Sequence, residues 1–227
     1  MDANVILNNL KKQIYYPIYL LQGEEPYFID IISNYIEENV LTEAEKGFNQ
    51  TIFYGKDSDP QTIAESALRF PMMANKQVII VKEAQSLSKI EELEKYAQNP
   101  MPSTILVLCY KYKTVDGRTN VLKAIKQKGV VFTSKKVRDY KMPAWIEKYL
   151  AEKKYSIHEA DCAWDVESLG NDLGKVANEL NKLLIAVKDT QQITPTHIEK
   201  NIGLSKDYNI FELQNELEKK DFLKANR

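Results

Sequence analysis

Two four-residue runs, Val78-Ile79-Ile80-Val81 and Ile105-Leu106-Val107-Leu108, contain no polar residue. A strand with one wet face alternates apolar and polar side chains, whereas a strand covered on both faces is apolar throughout. These runs therefore read as central strands of a sheet that carries helices on both sides. Three further segments fit the same sheet: Ile18-Tyr19-Leu20-Leu21, ended by Gly23, then Thr51-Ile52-Phe53-Tyr54, and Val130-Val131-Phe132. Helical spacing fills the gaps between them. Pro26 opens one helix, with Phe28, Ile31, Ile32, Tyr35 and Ile36 at helical intervals. Asp59-Pro60 opens another, with aspartate as cap and proline at the first helical position. Ile90, Leu93, Glu94 and Tyr96 sit in a short amphipathic helix, and a fourth runs from about Arg118 to Lys128 and stops at Gly129. Strands alternating with helices predict an α/β fold, a parallel sheet flanked by helices.

After Lys141 the pattern becomes all-helical. Pro143 starts a helix with Trp145, Ile146, Tyr149 and Leu150. Helices follow over about 160–170 and 172–187, the second with Val176, Leu180, Leu183, Leu184 and Val187 on one stripe. Ile193-Thr194-Pro195 opens one more, with Thr194 as its cap. A boundary near 138–142 thus separates an α/β domain from a small all-α lid. A last helix begins near Asn209, with Phe211, Leu213, Leu217 and Phe222 apolar, and its pattern still runs at Arg227. An uncapped helix with an unmatched apolar face implies a third domain beyond it.

The formal net charge of −1 leaves no global attraction to polyanions, so any basic function is local. Cys109 and Cys162 stand in unrelated contexts and form neither a Cys-x-x-Cys pair nor a disulfide framework, which reads as a reduced, cytoplasmic protein. The apolar run from Ile18 to Leu21 is far too short for a membrane span. His158 and His197 lie near no cluster of cysteines or carboxylates, so no zinc site is expected and both read as structural or surface histidines.

An α/β domain followed by a helical lid invites comparison with AAA+ ATPases. Their phosphate-binding loop needs G-x-x-x-x-G-K-[ST], in which backbone N–H groups surround the phosphates, lysine neutralises charge and a hydroxyl holds magnesium. Here the first strand ends in Gly23-Glu24-Glu25-Pro26-Tyr27-Phe28. There is one glycine, no lysine and no serine or threonine at the required place, and Pro26 has no N–H to donate. The second nucleotide motif is a strand ending in Asp-Glu, but Val81 is followed by Lys82-Glu83. No nucleotide, metal or other cofactor is therefore expected, and no catalysis. Glu24-Glu25 is read as a dipole partner of the helix that follows rather than as an acid/base pair.

Several ordered segments resemble the delta subunit of the bacterial DNA polymerase III clamp loader. They are Tyr19 to Asp30, Arg69 to Lys82, Pro100 to Leu108, Asp116-Gly117-Arg118 with Lys123, Gly170 to Leu173 with Asn178 to Leu183, and Phe211-Glu212-Leu213. The resemblance implies an AAA+-like α/β domain over 1–140 without a functional phosphate loop. It further implies a helical lid over 141–207 and, over 208–227, the first helix of a C-terminal collar domain. It implies a non-catalytic subunit of the DNA polymerase III holoenzyme, which binds the sliding clamp (the beta subunit) and opens it for loading on primed DNA. The implied partners are the delta-prime and gamma/tau subunits and, through the complex, DNA; no membrane is implied.

In that family a hydrophobic plug enters a pocket on the clamp. The matching positions here are Met72 and Met73, after Pro71, where the family carries Leu-Phe. Methionine suits an adaptable apolar pocket. Phe70 is expected in the core, with a share in the plug as the alternative. A second surface is basic. From Lys111 to Lys141 ten lysines and arginines, among them Lys111, Lys113, Arg118, Lys123 and Lys126, face only Asp116 and Asp139. The cluster reads either as a DNA-phosphate contact or as a solvated helix face with a charged linker. Two further readings stay open: an NTP-driven remodelling ATPase with an altered loop, and a generic DNA-binding scaffold.

Overall fold

The computed structural model describes residues 2–157, 172–187, 192–194 and 196–198. The expected helices over 160–170 and from Asn209, together with His158, Cys162 and Pro195, lie outside the described residues. The chain divides into two compact units, Met1–Lys136 and Val137–Arg227.

In the first unit the five expected strands are present: β1 (Ile18–Gly23), β2 (Gln50–Tyr54), β3 (Gln77–Lys82), β4 (Thr104–Lys111) and β5 (Val130–Ser134). They form one sheet in the order β2-β3-β4-β1-β5. Every pairing is parallel. The helices are α1 (Ala3–Lys11), α2 (Pro26–Asn39), α3 (Glu43–Asn49), α4 (Pro60–Ala67), α5 (Glu94–Gln98) and α6 (Asn120–Lys128). Side chains that alternate along the strands build two cores. Tyr19, Leu21, Val78, Ile80, Ile105 and Val107 pack under α1 and α2. Ile18, Leu20, Ile79, Val81, Leu106 and Leu108 pack under α4, α5 and α6. Both faces of β1, β3 and β4 are therefore dry, as the unbroken apolar runs required.

Local signals set the helix starts. Asp59 caps α4 by accepting a hydrogen bond from Thr62 N at 2.9 Å, with Pro60 in the first turn. α6 begins at Asn120 rather than Arg118, because Asp116 holds a turn there. Its Oδ1 accepts from Arg118 N at 3.0 Å, and Thr119 Oγ1 donates to Asp116 O at 2.8 Å. The helix expected around Ile90 is a 3-10 turn, Ile90–Leu93, running into the five-residue α5.

In the second unit, α7 (Met142–Glu152) buries Met142, Ile146 and Leu150. α8 (Leu173–Ala186) is capped by Asp172, which accepts from Lys175 N at 3.0 Å. The expected stripe Val176, Leu180, Leu183, Leu184 and Val187 is buried. Tyr149 donates its hydroxyl to Asn181 Oδ1 at 2.8 Å and so joins the two helices. Thr194 O accepts from the N–H groups of His197 and Ile198, and Thr194 N donates to His197 Nδ1 at 3.3 Å. His197 thus has a structural contact at a helix start. Among the described residues no helix is long and apolar enough to cross a membrane, and no group of three potential metal ligands occurs.

Candidate clamp-binding loop and the loop after the first strand

Two loops of the first unit carry the sequence-derived expectations. The first follows β1 at the C-terminal edge of the sheet, where a phosphate would lie against the N-terminus of α2. Gly23 has φ +128°, and a Cβ there would stand 2.1 Å from Ser134 O. Only glycine combines that backbone with that approach. Gly23 N donates to Lys113 O at 3.0 Å, and Glu24 N donates to Ser134 O at 3.3 Å. Pro26 has no N–H, and Tyr27 N donates to Glu25 Oε1 at 3.2 Å. Glu25 is 5% exposed and is the cap of α2. Ser134 Oγ donates to Glu25 O at 2.7 Å and closes the loop over β5. Gln22 adds a cross-tie: its Oε1 accepts from Val115 N at 2.9 Å and its Nε2 donates to Thr133 Oγ1 at 3.1 Å. The N–H groups of Gly23, Glu24 and Tyr27 are thus bonded within the protein, and a carboxylate occupies the helix start.

Beneath this loop two lysines stand at strand ends. Lys82, after the apolar run of β3, pairs with Glu37 at 3.0 Å, and Lys111, closing β4, pairs with Asp30 at 2.6 Å. Both acids lie on α2, so the ion pairs tie this helix to the sheet. Burial pulls the Lys82 ammonium down, but its contact with Glu37 outweighs that and leaves the group above the ordinary lysine value. Burial pushes the thiol of Cys109, between them on β4, up to about 11.

The second loop, residues 68–76, joins α4 to β3 at the opposite, N-terminal edge of the sheet. Here the structure corrects one expectation. Phe70, placed in the core from its apolar company, is 77% exposed. Met72 is 60% exposed, Met73 is fully exposed and Leu68 is also exposed. The cause is a main chain held from both sides. Gln77, buried at the start of β3, donates Nε2 to Arg69 O at 2.7 Å, to Ala67 O at 3.2 Å and to Thr104 Oγ1 at 2.7 Å. Asn49, buried at the end of α3, accepts from Met72 N at 2.6 Å and donates to Met72 O at 2.9 Å. With the backbone satisfied inward, the side chains of Leu68, Phe70, Met72 and Met73 are left to solvent. Contiguous exposed apolar side chains of this kind mark interaction surfaces. Sequence reasoning missed Asn49, Leu68 and the exposed Phe48 beside Asn49; the Thr42-x-x-Glu45 capping box of α3 was the available signal.

The basic residues do not share one environment. Lys111 is tied to Asp30, and Arg118 pairs with Asp116 at 2.8 Å. That contact raises the guanidinium and lowers the Asp116 carboxyl from their ordinary values. Lys113, Lys123 and Lys126 are exposed. Lys123 and Lys126 lie opposite the buried Val121, Leu122 and Ile125 on α6, which leads back toward the other edge of the sheet.

Residues 19–135 match the sequence model of a family described as DNA polymerase III, delta subunit. The chain is 28% identical to the DNA polymerase III subunit delta of Bacillus subtilis, an alignment that takes in 93% of this chain and 64% of that protein. It therefore spans a little under two thirds of that relative's length. The solved structure of the Bacillus subtilis DNA clamp loader delta protein superposes with a TM-score of 0.80 at 22% identity, over 99% of this chain and 69% of that one. At that identity the likeness speaks for the fold: a five-stranded parallel sheet flanked by helices.

Proposed function

The chain belongs to the DNA polymerase III delta-subunit family, and on that premise we propose that it is the clamp-loader subunit that binds the sliding clamp and opens it for loading on primed DNA. The observation that carries this reading is the loop at 68–76, with its main chain anchored inward and Phe70, Met72 and Met73 exposed. Met72 and Met73 are the plug, and Phe70, now in the open, widens it. Burying a methionine fully is worth about 1.5–3 kcal/mol before the costs of association, so two anchors supply much of a binding hot spot.

The chain works without catalysis of its own inside the holoenzyme, alongside the delta-prime and gamma/tau subunits. Its first domain is the AAA+-like unit over 1–140, and a helical lid follows from 141. The satisfied N–H groups around Gly23 support the absence of nucleotide chemistry and disfavour a remodelling ATPase. Lys113, Lys123 and Lys126 remain the candidates for a salt-dependent DNA contact within the complex.

The test is capture of the cognate sliding clamp by the full chain, followed by calorimetry. Binding that is weakened about 100-fold in Met72→Ser/Met73→Ser is expected. A folded wild-type chain that ignores the clamp defeats the reading, and so does a micromolar affinity for ATP with magnesium.

A further inference from the structure

Asn49 stands apart among the buried polar residues of the first unit. It is 4% exposed, it closes a seven-residue helix that buries no other side chain, and its amide reaches across to a segment more than twenty positions away. Its Oδ1 accepts from Met72 N at 2.6 Å. Its Nδ2 donates to Met72 O at 2.9 Å and to Glu45 O at 3.1 Å. One side chain thus grips both polar groups of a single loop residue and braces itself on its own helix. All three partners are main-chain atoms, so the grip fixes the path of the loop and leaves its side chains uncommitted.

The residue after the gripped one is strained. Met73 has φ 53°, the left-handed region that an unbranched L side chain enters at a cost. Such a conformation persists when its surroundings enforce it, and it concentrates at functional positions. The carbonyl of Met72 belongs to the peptide plane from which φ of Met73 is measured. Holding that carbonyl on Asn49 therefore sets where Met73 begins its turn. Pro71 fixes the other side, since its ring locks its own φ and restricts Phe70 before it. The loop is rigid in backbone and free in side chain.

From this arrangement we infer that Asn49 is the positioning residue of the clamp-binding loop. It presets the Met72–Met73 backbone in its binding conformation, so that the ordering cost is met on folding rather than on association. The inference rests on the proposed function and makes a separate claim about it. Asn49 touches no partner; it acts through Met72 and Met73. Its removal should weaken the clamp complex only while the methionines are present.

The experiment is a double-mutant cycle on the full chain, with the cognate sliding clamp as the probe. Wild type, Asn49→Ala, Met72→Ser/Met73→Ser and the triple variant are compared by calorimetry, and amide hydrogen exchange is followed in parallel. Asn49→Ala is expected to weaken clamp binding about tenfold, the scale of a lost buried hydrogen-bond pair. It should speed exchange of the Met72 amide more than about tenfold while the β3 and β4 amides keep their protection. In the methionine-free background it should cost nothing further. Equal losses in both backgrounds would show that Asn49 acts on the fold at large and overturn the inference. So would wild-type affinity in Asn49→Ala. Failure of the wild-type chain to bind the clamp overturns the proposed function and this inference together, whereas binding by wild type with an unaffected Asn49→Ala overturns this inference alone. If Asn49→Ala does not fold, Asn49→Asp carries the same cycle. It keeps the acceptor for Met72 N and sets an oxygen against Met72 O, and the same loss is expected.

Discussion

The loop after β1 and the loop after α4 lie at opposite edges of one parallel sheet, and both have their main chain held by distant parts of the chain. In the first, Lys113 O, Ser134 O and the Glu25 carboxylate accept the N–H groups around Gly23. In the second, Asn49 and Gln77 hold the backbone and four apolar side chains are turned outward. Satisfying the backbone closes a site when recognition depends on the backbone. It opens one when recognition depends on side chains. The same kind of internal hydrogen bonding thus closes the loop at one edge of the sheet and leaves apolar side chains in the open at the other.

Substitutions can break this contrast, and the largest effect is expected at Gly23. Gly23→Ala sets a Cβ 2.1 Å from Ser134 O on a backbone with φ +128°. A loss of about 3 kcal/mol or more in denaturant unfolding is expected. Wild-type stability would mean that the first loop is not closed on β5 as described. Next comes Met72→Ser/Met73→Ser, which should lower clamp affinity about 100-fold, as loss of two apolar anchors implies. Because both side chains are exposed, the melting temperature should stay within about 2 °C. A variant that loses stability instead would make the second loop a piece of core.

Ser134→Ala removes the hydroxyl that donates to Glu25 O at 2.7 Å. About 1–2 kcal/mol of stability should go, with clamp binding unchanged, since the other edge is untouched. The smallest effect concerns the floor of the first loop. The Cys109 thiol titrates near 9.0 when free and is pushed up to about 11 by burial. The unfolded chain releases that proton first, so this group's contribution to stability is complete below pH 9 and is lost as pH rises from 9 to 11. Cys109→Ala should remove about 1 kcal/mol of the decline between pH 8.5 and pH 10, measured by urea unfolding.

Much of this was legible in order along the chain, because strands covered on two faces announce themselves in their composition. The cap at Asp59 and the stripe from Val176 to Val187 are likewise local signals, and they stand where the sequence put them. α1 was missed although Ala3, Ile6 and Leu10 repeat at helical spacing, since Asp2 gives it no side-chain cap bond. α3 was missed because it has no apolar stripe to read; the side chain it buries is Asn49. Phe70 was misplaced for a related reason. Its composition says core, but its direction is set by Asn49 and Gln77 on other elements. At the first loop the missing glycine, lysine and Ser or Thr could be read directly, whereas the acceptors of its N–H groups come from β5 and from the turn after β4. Residue types are local; partners in a parallel sheet are not.

That non-locality bears on how the chain comes off the ribosome. β1 pairs with β4 and β5, with Ile18 beside Leu106 and Tyr19 beside Val130. The first strand synthesised is therefore among the last to gain neighbours: β4 follows its end by about eighty residues and β5 by just over a hundred. Parallel pairings of such high contact order fold slowly and leave sticky intermediates. Gly23 and Glu25 cannot close on Ser134 until β5 exists. The closed loop after β1 is thus also a latch, and its fastening marks the moment when the nascent domain is complete.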